Sequence, residues 1–285
     1  MSNTLNKTYK ELAIPYFNEV FNIIDITLLK LNIPYYLIGV SAVALELLKE
    51  GIKPSRGTKD IDFAIMIGSL AEFEKVVVEL ENEGFNKVKA PWTFFHPTYN
   101  IAIDLLPFGQ IEENDTANFN ERYTDLHVLG FKEVMQHAIP VAIEEKFAQI
   151  PPLHGMVILK LIAWNDRPEE RDNDLKDILL IIKEYFDFNN NEIFDCYFDT
   201  FPEEFDKIIV SARVLGRKAA EIIQGSKKVK NRVLEVLMNN TAKLENSPIA
   251  ERWARDNDWT ITYAVSILEN FKLGITEVIN QNSKL

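Results

Sequence analysis

The sequence predicts an α+β protein in which a domain with a mixed sheet, residues 1–150, is followed by an all-helical domain, residues 151–285. Two observations support this fold class. In the first half, helical spacings of apolar residues alternate with short strand-like runs. After Pro151 and Pro152 the strand-like runs nearly vanish and helical periodicity takes over. Each half then has the size of an ordinary domain.

Composition limits the class of protein. The chain of 285 residues is 47% hydrophobic and 26% charged, which is typical of a globular protein. Its net charge of −12 argues against a protein that coats nucleic acid over its whole surface. The single cysteine, Cys196, excludes an internal disulfide framework and a four-cysteine zinc site, and we expect an ordinary packed thiol. Without a membrane-length apolar run or a signal peptide, we expect a cytoplasmic protein with no membrane partner.

The first predicted elements form a helix–strand–turn–helix sequence. Apolar residues recur every three or four positions over 11–31, which is typical of one helix face. The run 35–38 predicts a short buried strand that ends at Gly39. A helix is predicted over 41–50, with Ser41 placed to cap it.

The later elements follow from the same patterns. The rest of the first half is predicted to contain a helix over 71–83 and strands over 60–67, 99–108, 125–130 and 141–143. The run from Trp92 to Phe95 is expected to pack against the sheet. In the second half, helical periodicity covers 153–165, 172–186, 203–224, 229–243 and 260–273.

Two aspartates on one predicted strand are the first functional signal. Side chains alternate along a strand, so Asp60 and Asp62 lie on the same face. Two carboxylates so close repel each other unless a cation lies between them, and Mg²⁺ favours oxygen ligands of this kind. The same spacing also occurs on solvated strand edges.

A third aspartate lies in another predicted strand. Asp104 interrupts the strongly apolar run 101–106, where burial of an unpaired carboxylate would be costly. It either pairs with a residue such as Arg56, shares a site with Asp60 and Asp62, or caps a turn at a strand end. Three carboxylates on adjacent strands would form the framework of a metal-dependent phosphoryl-transfer centre.

The turn before the second helix is a candidate phosphate site. The backbone N–H groups at a helix amino terminus, together with the helix dipole, attract anions. The strand, Gly39 and the helix near Ser41 provide such a terminus. A simple tight turn is the alternative.

The chain resembles the DNA polymerase β-like nucleotidyltransferase superfamily in the order of its parts. These parts are the strand, the glycine turn, the helix, the Asp-x-Asp strand and the third aspartate. More narrowly, LIGVSAVALELLKEGIKPSRGTKDIDF looks like the AbiEii-type nucleotidyltransferase toxins of abortive-infection and toxin–antitoxin systems. A second match lies in VILKLIAW, residues 157–164, and RDNDLKDI, residues 171–178. The resemblance covers about residues 35–185.

The resemblance implies transfer of a nucleoside monophosphate from an NTP to an acceptor, with pyrophosphate leaving. It implies Mg²⁺, with Mn²⁺ as the alternative, held by Asp60, Asp62 and Asp104, of which Asp104 also helps to deprotonate the attacking hydroxyl. Lys160 and Asp174 join these three as implied catalytic residues. The residues implied in nucleotide binding are Gly39, Ser41, Arg56, Thr58, Lys160, Arg171 and Asp177.

The chain departs from the family pattern at two positions. Val40 follows Gly39 where the family has a second glycine or a serine, and Asn173 replaces a basic residue, whose role would pass to Arg171. The residues alone leave other interpretations open. Lys160 could extend to solvent from an apolar helix. Arg171, Asp174 and Asp177, spaced by three, could form a salt-bridged stripe on a helix surface.

Charge is unevenly distributed in the second half. Residues 165–206 contain fourteen acidic and four basic side chains, so a basic partner protein could cover them. Residues 213–232 contain seven basic side chains and one acidic one. This basic stretch could follow the backbone of an RNA such as a tRNA, or it could be a solvated helix face.

The resemblance implies a Mg²⁺-dependent nucleotidyltransferase that acts on RNA, with tRNA 3′ ends first, as the toxin of a toxin–antitoxin or abortive-infection system. A cognate antitoxin protein is then an expected partner. Two alternatives remain: a nucleotidyltransferase that modifies a small molecule or a protein, and a noncatalytic binding module that keeps the fold.

Overall fold

The structure is a computed structural model that describes residues 9–10, 12–49, 51–52, 60–88, 90–119 and 125–282. Arg56 and Thr58, both predicted to bind nucleotide, lie outside the described residues. The chain divides into two compact units, Met1–Pro152 and Leu153–Leu285. In the described part of the chain, no helix is both long enough and apolar enough to cross a membrane.

A mixed sheet is the centre of the first unit, as predicted. Its strands in chain order are β1 (Tyr35–Leu37), β2 (Asp60–Ile67), β3 (Asn86–Lys87), β4 (Thr93–His96) and β5 (Ile101–Gly109). Their order across the sheet is β1-β2-β5-β4-β3. The β2–β5 pair is parallel and the other pairs are antiparallel. Strand β4 was not predicted; it contains most of the aromatic run that was expected to pack against the sheet or to flank a base.

Four helices and two small ribbons complete the described part of this unit. The helices are α1 (Phe17–Lys30), α2 (Gly39–Leu48), α3 (Leu70–Asn82) and α4 (Phe131–Met135). The ribbons pair β6 (Thr116–Asn118) with β7 (Asp125–His127), and β8 (Ile139–Ile143) with β9 (Lys146–Ile150). The apolar face of α1 supplies part of the core: the Phe21 and Phe63 rings stack with centroids 6.5 Å apart.

Two predicted helix starts in the first unit are wrong. Helix α1 begins at Phe17 and not at residue 11, because Tyr16 has the left-handed φ of 58°. Helix α2 begins at Gly39, two residues before the predicted start, so Ser41 lies inside the helix and Ile38 is the N-cap residue. The predicted capping role of Ser41 is therefore wrong.

The described part of the second unit is all-helical, which confirms the prediction. Its helices are α5 (Leu153–Asp166), α6 (Asp172–Cys196), α7 (Lys207–Ile223), α8 (Lys227–Thr241), α9 (Pro248–Asn257) and α10 (Ile261–Asn282). Short 3-10 turns lie at Phe198–Thr200 and Leu244–Asn246. Helix α9 was not predicted, and α6 extends ten residues past its predicted end at residue 186, across a non-helical Asn189.

Helices α7 and α10 pack backbone against backbone. A Cβ on Gly216 would lie 2.1 Å from the Phe271 carbonyl oxygen, and one on Gly274 would lie 2.1 Å from the Arg213 carbonyl oxygen. Both glycines are therefore required by the close approach of the two helices. The same helices are joined by charge, because Arg217 Nε lies 2.7 Å from a Glu277 oxygen.

Candidate metal centre

Three carboxylates meet on two neighbouring strands of the sheet. In the parallel pairing of β2 and β5, Asp62 is directly opposite Asp104, and Asp60 is opposite Ala102. Side chains at paired positions of adjacent strands lie on the same face. One carboxylate oxygen from each of Asp60, Asp62 and Asp104 therefore lies within 4.8 Å of the others.

Strand alternation explains why these charges are tolerated in apolar strands. Ile61 and Phe63 on β2, and Ile103 and Leu105 on β5, have no solvent exposure and face the core. The aspartates between them lie on the other face and are half-buried. Asp104 lies within β5, so the alternative that it caps a turn at a strand end is wrong.

Thr93 orients the third carboxylate. It lies opposite Asp104 in the β4–β5 pairing, and its hydroxyl donates a hydrogen bond of 2.5 Å to Asp104 Oδ1. The sequence does not predict Thr93 as a site residue, because it does not predict strand β4. The sequence Thr93-Phe94-Phe95-His96 does not alternate in polarity, and its alternating burial is visible only in the structure.

The glycine turn contacts one of the metal-ligand candidates. Gly39 has a left-handed φ of +67°, and a Cβ there would lie 1.9 Å from Asp62 Oδ2. The Ile38 N–H donates a 2.9 Å hydrogen bond to the Asp62 carbonyl oxygen. Backbone conformation and lack of space thus both require glycine at position 39, and the amino end of α2 lies beside the aspartate.

Ser41, predicted to bind nucleotide, is 1% exposed inside α2. Its hydroxyl has no hydrogen-bond partner among the residues that the structure describes. The structure therefore places this side chain in the interior next to the glycine turn, not on an open surface.

The second unit contains its own aspartate cluster around Lys160. The Lys160 ammonium on α5 lies 2.8 Å from an oxygen of Asp174 and 2.8 Å from an oxygen of Asp177, both on α6. The three residues are only 8%, 8% and 4% exposed. Lys160 therefore does not extend to solvent, and the two aspartates do not form a surface stripe.

Burial and charge act in opposite directions on this lysine. Burial alone lowers the pKa of Lys160, but the negative charges of Asp174 and Asp177 and their hydrogen bonds outweigh it, so the pKa is raised above 10.5. The ammonium thus stays charged and remains bound to both carboxylates. Two of its three N–H donors are used within the protein.

Arg171 lies at the edge of this cluster. It is the N-cap residue before α6, with a non-helical φ of −112°, so it does not continue the helix face of Asp174 and Asp177 as predicted. Its guanidinium lies 3.9 Å from Asp174 Oδ2, a buried oxygen with no hydrogen bond among the described residues. The Arg171 side chain is 50% exposed, so it is accessible to a ligand from solvent.

Much of the predicted basic stretch 213–232 is neutralised within the second unit. Arg213 and Arg217 both bind Glu277, and Lys218 Nζ lies 2.6 Å from a Glu192 oxygen. Burial raises the pKa of Glu277, but the hydrogen bonds from the two arginines outweigh this effect and lower it overall. The exposed basic residues of the stretch are Lys227 and Lys228 at the start of α8.

No protein-family model matches the sequence, and no curated protein matches it either. Solved structures show weak similarity. An antigenic nucleotidyltransferase-like protein from Paracoccidioides brasiliensis is 12% identical, with a TM-score of 0.40 over 77% of this chain and 93% of that one. The antibiotic-resistance factor ANT(2'')-Ia is 10% identical, with a TM-score of 0.35 over 76% of this chain and 94% of that one.

A third structure, JHP933 from Helicobacter pylori, is 12% identical, with a TM-score of 0.33 over 94% of both chains. At TM-scores of 0.40 and below, these likenesses do not establish what the chain does.

Proposed function

We propose that the chain is a metal-dependent nucleotidyltransferase with Asp60, Asp62 and Asp104 as its metal ligands. The observation that carries this proposal is the meeting of three carboxylate oxygens, within 4.8 Å of one another, on adjacent parallel strands. Carboxylates at such distances favour a cation between them. Mg²⁺ is commonly held by one or two carboxylates together with substrate phosphates, and Mn²⁺ accepts the same donors.

The donor set fits such an ion. All three ligands are carboxylates, which hard divalent cations prefer, and all three are half-buried and so accessible from solvent. When bound, the ion stabilises the negative charge on the attacking and leaving oxygens of a phosphoryl transfer.

The glycine turn would hold the phosphates of the NTP. Gly39 begins a ten-residue helix, and the positive end of the helix dipole lies there together with backbone N–H donors. Because Gly39 lies against Asp62, phosphates bound at this turn would lie beside the carboxylates.

The proposed reaction transfers a nucleoside monophosphate from an NTP to an acceptor hydroxyl group. The acceptor hydroxyl oxygen forms a bond to the α-phosphorus of the NTP, and the bond from that phosphorus to the bridging oxygen of the β-phosphate breaks. Pyrophosphate leaves, and Asp104 accepts the hydroxyl proton as general base. The Thr93 hydroxyl fixes the orientation of the Asp104 carboxylate during this step.

For the acceptor we propose RNA, with tRNA 3′ ends first, and for the biological role an AbiEii-type toxin with a cognate antitoxin. This finer assignment is supported by the sequence resemblance. The exposed Lys227 and Lys228 offer a small basic surface for an RNA backbone at the start of α8.

The test is a transfer assay with each α-labelled NTP and Mg²⁺ in the presence of total RNA, total protein and a small-molecule extract. We expect label in the RNA fraction with the native chain, and none with Asp62→Asn. The matched control is Asp125→Asn, which removes an exposed strand aspartate of the same unit and should keep full transfer. Full transfer by Asp62→Asn would contradict the metal assignment, and label in another fraction would contradict the RNA acceptor.

A further inference from the structure

Four phenylalanines form an exposed aromatic patch on the helical unit: Phe194, Phe198, Phe201 and Phe205. Phe194, Phe198 and Phe205 are 51%, 67% and 59% exposed. Their rings surround the half-buried Phe201, with centroid distances of 5.4, 5.0 and 5.6 Å. The patch is therefore one contiguous apolar surface.

The aromatic patch packs on a buried residue of α6 and on a hydrogen-bonded turn. Phe186 on α6 is 8% exposed, and its ring makes edge contacts with Phe194, Phe201 and Phe205 at 5.4 to 6.2 Å. The buried Thr200 hydroxyl donates a 2.7 Å hydrogen bond to the Tyr197 carbonyl oxygen and closes the turn that carries Phe198. The rings are thus held exposed by a packed base.

Such a surface requires an explanation. Single exposed apolar residues are ordinary, but contiguous apolar patches rimmed by polar residues mark interaction sites. Aromatic rings are also enriched among the residues that contribute most to binding at protein interfaces. The patch therefore has the composition of an interface core.

The chain around the aromatic patch is acidic, which favours a basic partner. Residues 184–206 contain eight acidic side chains and no lysine or arginine. Asp187, Glu192 and Asp199 form ion pairs with α7. The exposed Asp195, Glu203 and Glu204 form none with any residue that the structure describes. Aromatic rings can stack on nucleobases, but Asp195 and Glu204, the chain neighbours of Phe194 and Phe205, would repel the phosphates.

We infer that the aromatic patch docks a basic amphipathic segment of a partner protein. The apolar stripe of the segment would cover the four rings, and its lysines or arginines would face Asp195, Glu203 and Glu204. Arginine and lysine also bind the faces of exposed aromatic rings directly. This inference is independent of the proposed enzymatic function.

The test uses a labelled synthetic helical peptide of leucine and lysine with the leucines on one face, and fluorescence anisotropy with the full chain. We expect binding that the double variant Phe198→Ser/Phe205→Ser weakens by about tenfold or more. The matched control is Phe147→Ser, which removes a ring that is 65% exposed in the first unit and should leave binding unchanged. Circular dichroism verifies that each variant is folded.

Two further peptides separate this inference from simple charge attraction. A peptide with the same composition but a scrambled apolar stripe should bind about tenfold more weakly, and so should a peptide with glutamate for lysine. A spin label on Cys196, the only cysteine and an exposed one, should lose mobility when the first peptide binds. The sequence prediction of a packed thiol is thus wrong, and its exposure provides the probe.

Three results would overturn the inference. The first is equal binding of the striped and scrambled peptides. The second is tighter binding of a single-stranded RNA oligonucleotide at the patch, measured by the same spin label. The third is a dimer in sedimentation velocity that Phe198→Ser/Phe205→Ser dissociates, because the occupant would then be a second copy of the chain.

Discussion

The two aspartate clusters of the molecule have opposite environments. On the sheet, three half-buried carboxylates have oxygens within 4.8 Å of one another. In the helical unit, two buried carboxylates share the Lys160 ammonium at 2.8 Å. In the helical cluster the balancing cation is therefore a side chain, whereas for the sheet cluster we propose a metal ion.

The aspartates of the helical cluster and of the sheet cluster differ in their exposure to solvent. Asp177 is 4% exposed and its charge is balanced inside the protein, so the helical cluster is suited to joining α5 to α6. The aspartates on the sheet are accessible, and one of them contacts the glycine turn. Lys160 is buried and paired with two aspartates, and the phosphate contact that the resemblance implies for it stays a prediction.

The largest expected effect is on activity at the sheet cluster. Asp62→Asn should reduce nucleotidyl transfer by about a hundredfold or more, because a ligand of the charge-stabilising ion is lost. Its melting temperature should change far less than that of Lys160→Met, because Asp62 is half-buried and asparagine has the same shape. Steady-state transfer rates and thermal unfolding measure the two effects. The comparison fails if the variant unfolds readily yet transfers at the native rate.

Lys160→Met should give the opposite result. It leaves two carboxylates buried without their cation, so the free energy of unfolding should fall by about 3–5 kcal/mol. Urea unfolding measures this loss, and adding Asp174→Asn and Asp177→Asn should recover most of it. Lys176→Met is the matched control, because Lys176 is exposed and lies on α6, the helix that carries both aspartates. An unchanged stability of Lys160→Met would show that the cluster does not join the helices.

The pH dependence of the helical cluster follows from the sign of its pKa shift. The pKa of Lys160 is raised by folding, so its stabilising contribution is fully present below the ordinary lysine value of 10.5. It is lost only as the pH rises through the raised value. The stability difference between the native chain and Lys160→Met should therefore be smaller near pH 11 and above than at pH 8. Urea unfolding at several pH values measures it, and an equal difference at both would contradict the assignment.

Gly39→Ala tests the contact between the turn and the sheet cluster. The variant should lose about 1–2 kcal/mol of stability from its left-handed backbone, and its Cβ should displace the Asp62 carboxylate and lower activity further. Gly51→Ala is a close control, because Gly51 also has a positive φ, +79°, but nothing lies within 4 Å of its Cβ position. Both should lose similar stability in thermal unfolding, and only Gly39→Ala should lose transfer activity. Equal activities would exclude a functional turn.

Thr93→Val gives the smallest predicted effect. Loss of the hydroxyl removes the hydrogen bond that orients Asp104, and metal affinity should fall by about tenfold. The melting temperature should hardly change. Calorimetric titration with Mn²⁺ measures the affinity, and Thr116→Val on strand β6 is the control. Unchanged affinity would remove Thr93 from the site.

The sequence predicted the strands of the site better than their pairing. Alternation in 60–67 located β2 and placed Asp60 and Asp62 on one face. That Asp62 lies opposite Asp104 depends on a parallel pairing between distant segments, which local patterns do not contain. Thr93 was not predicted for the same reason, because strand β4 can be identified only from its pairing with β5.

Helix periodicity had a similar limit in the second half. A spacing of three placed Asp174 and Asp177 on one face, but it could not show that a lysine from α5 lies between them. A count of basic residues over 213–232 likewise could not show that Glu277 of α10 binds two of them. In both cases the deciding partner comes from another helix, so tertiary packing alone determines the role of the charge.

The most direct test of the central claim is Mn²⁺ binding, followed by electron paramagnetic resonance, in the native chain and two variants. Asp62→Asn removes a carboxylate from the sheet cluster, whereas Asp174→Asn leaves Lys160 paired with Asp177 in the helical one. We predict that the native chain and Asp174→Asn bind Mn²⁺ with the same affinity and that Asp62→Asn loses this binding. Retained binding in Asp62→Asn, or its loss in a folded Asp174→Asn, would contradict the account.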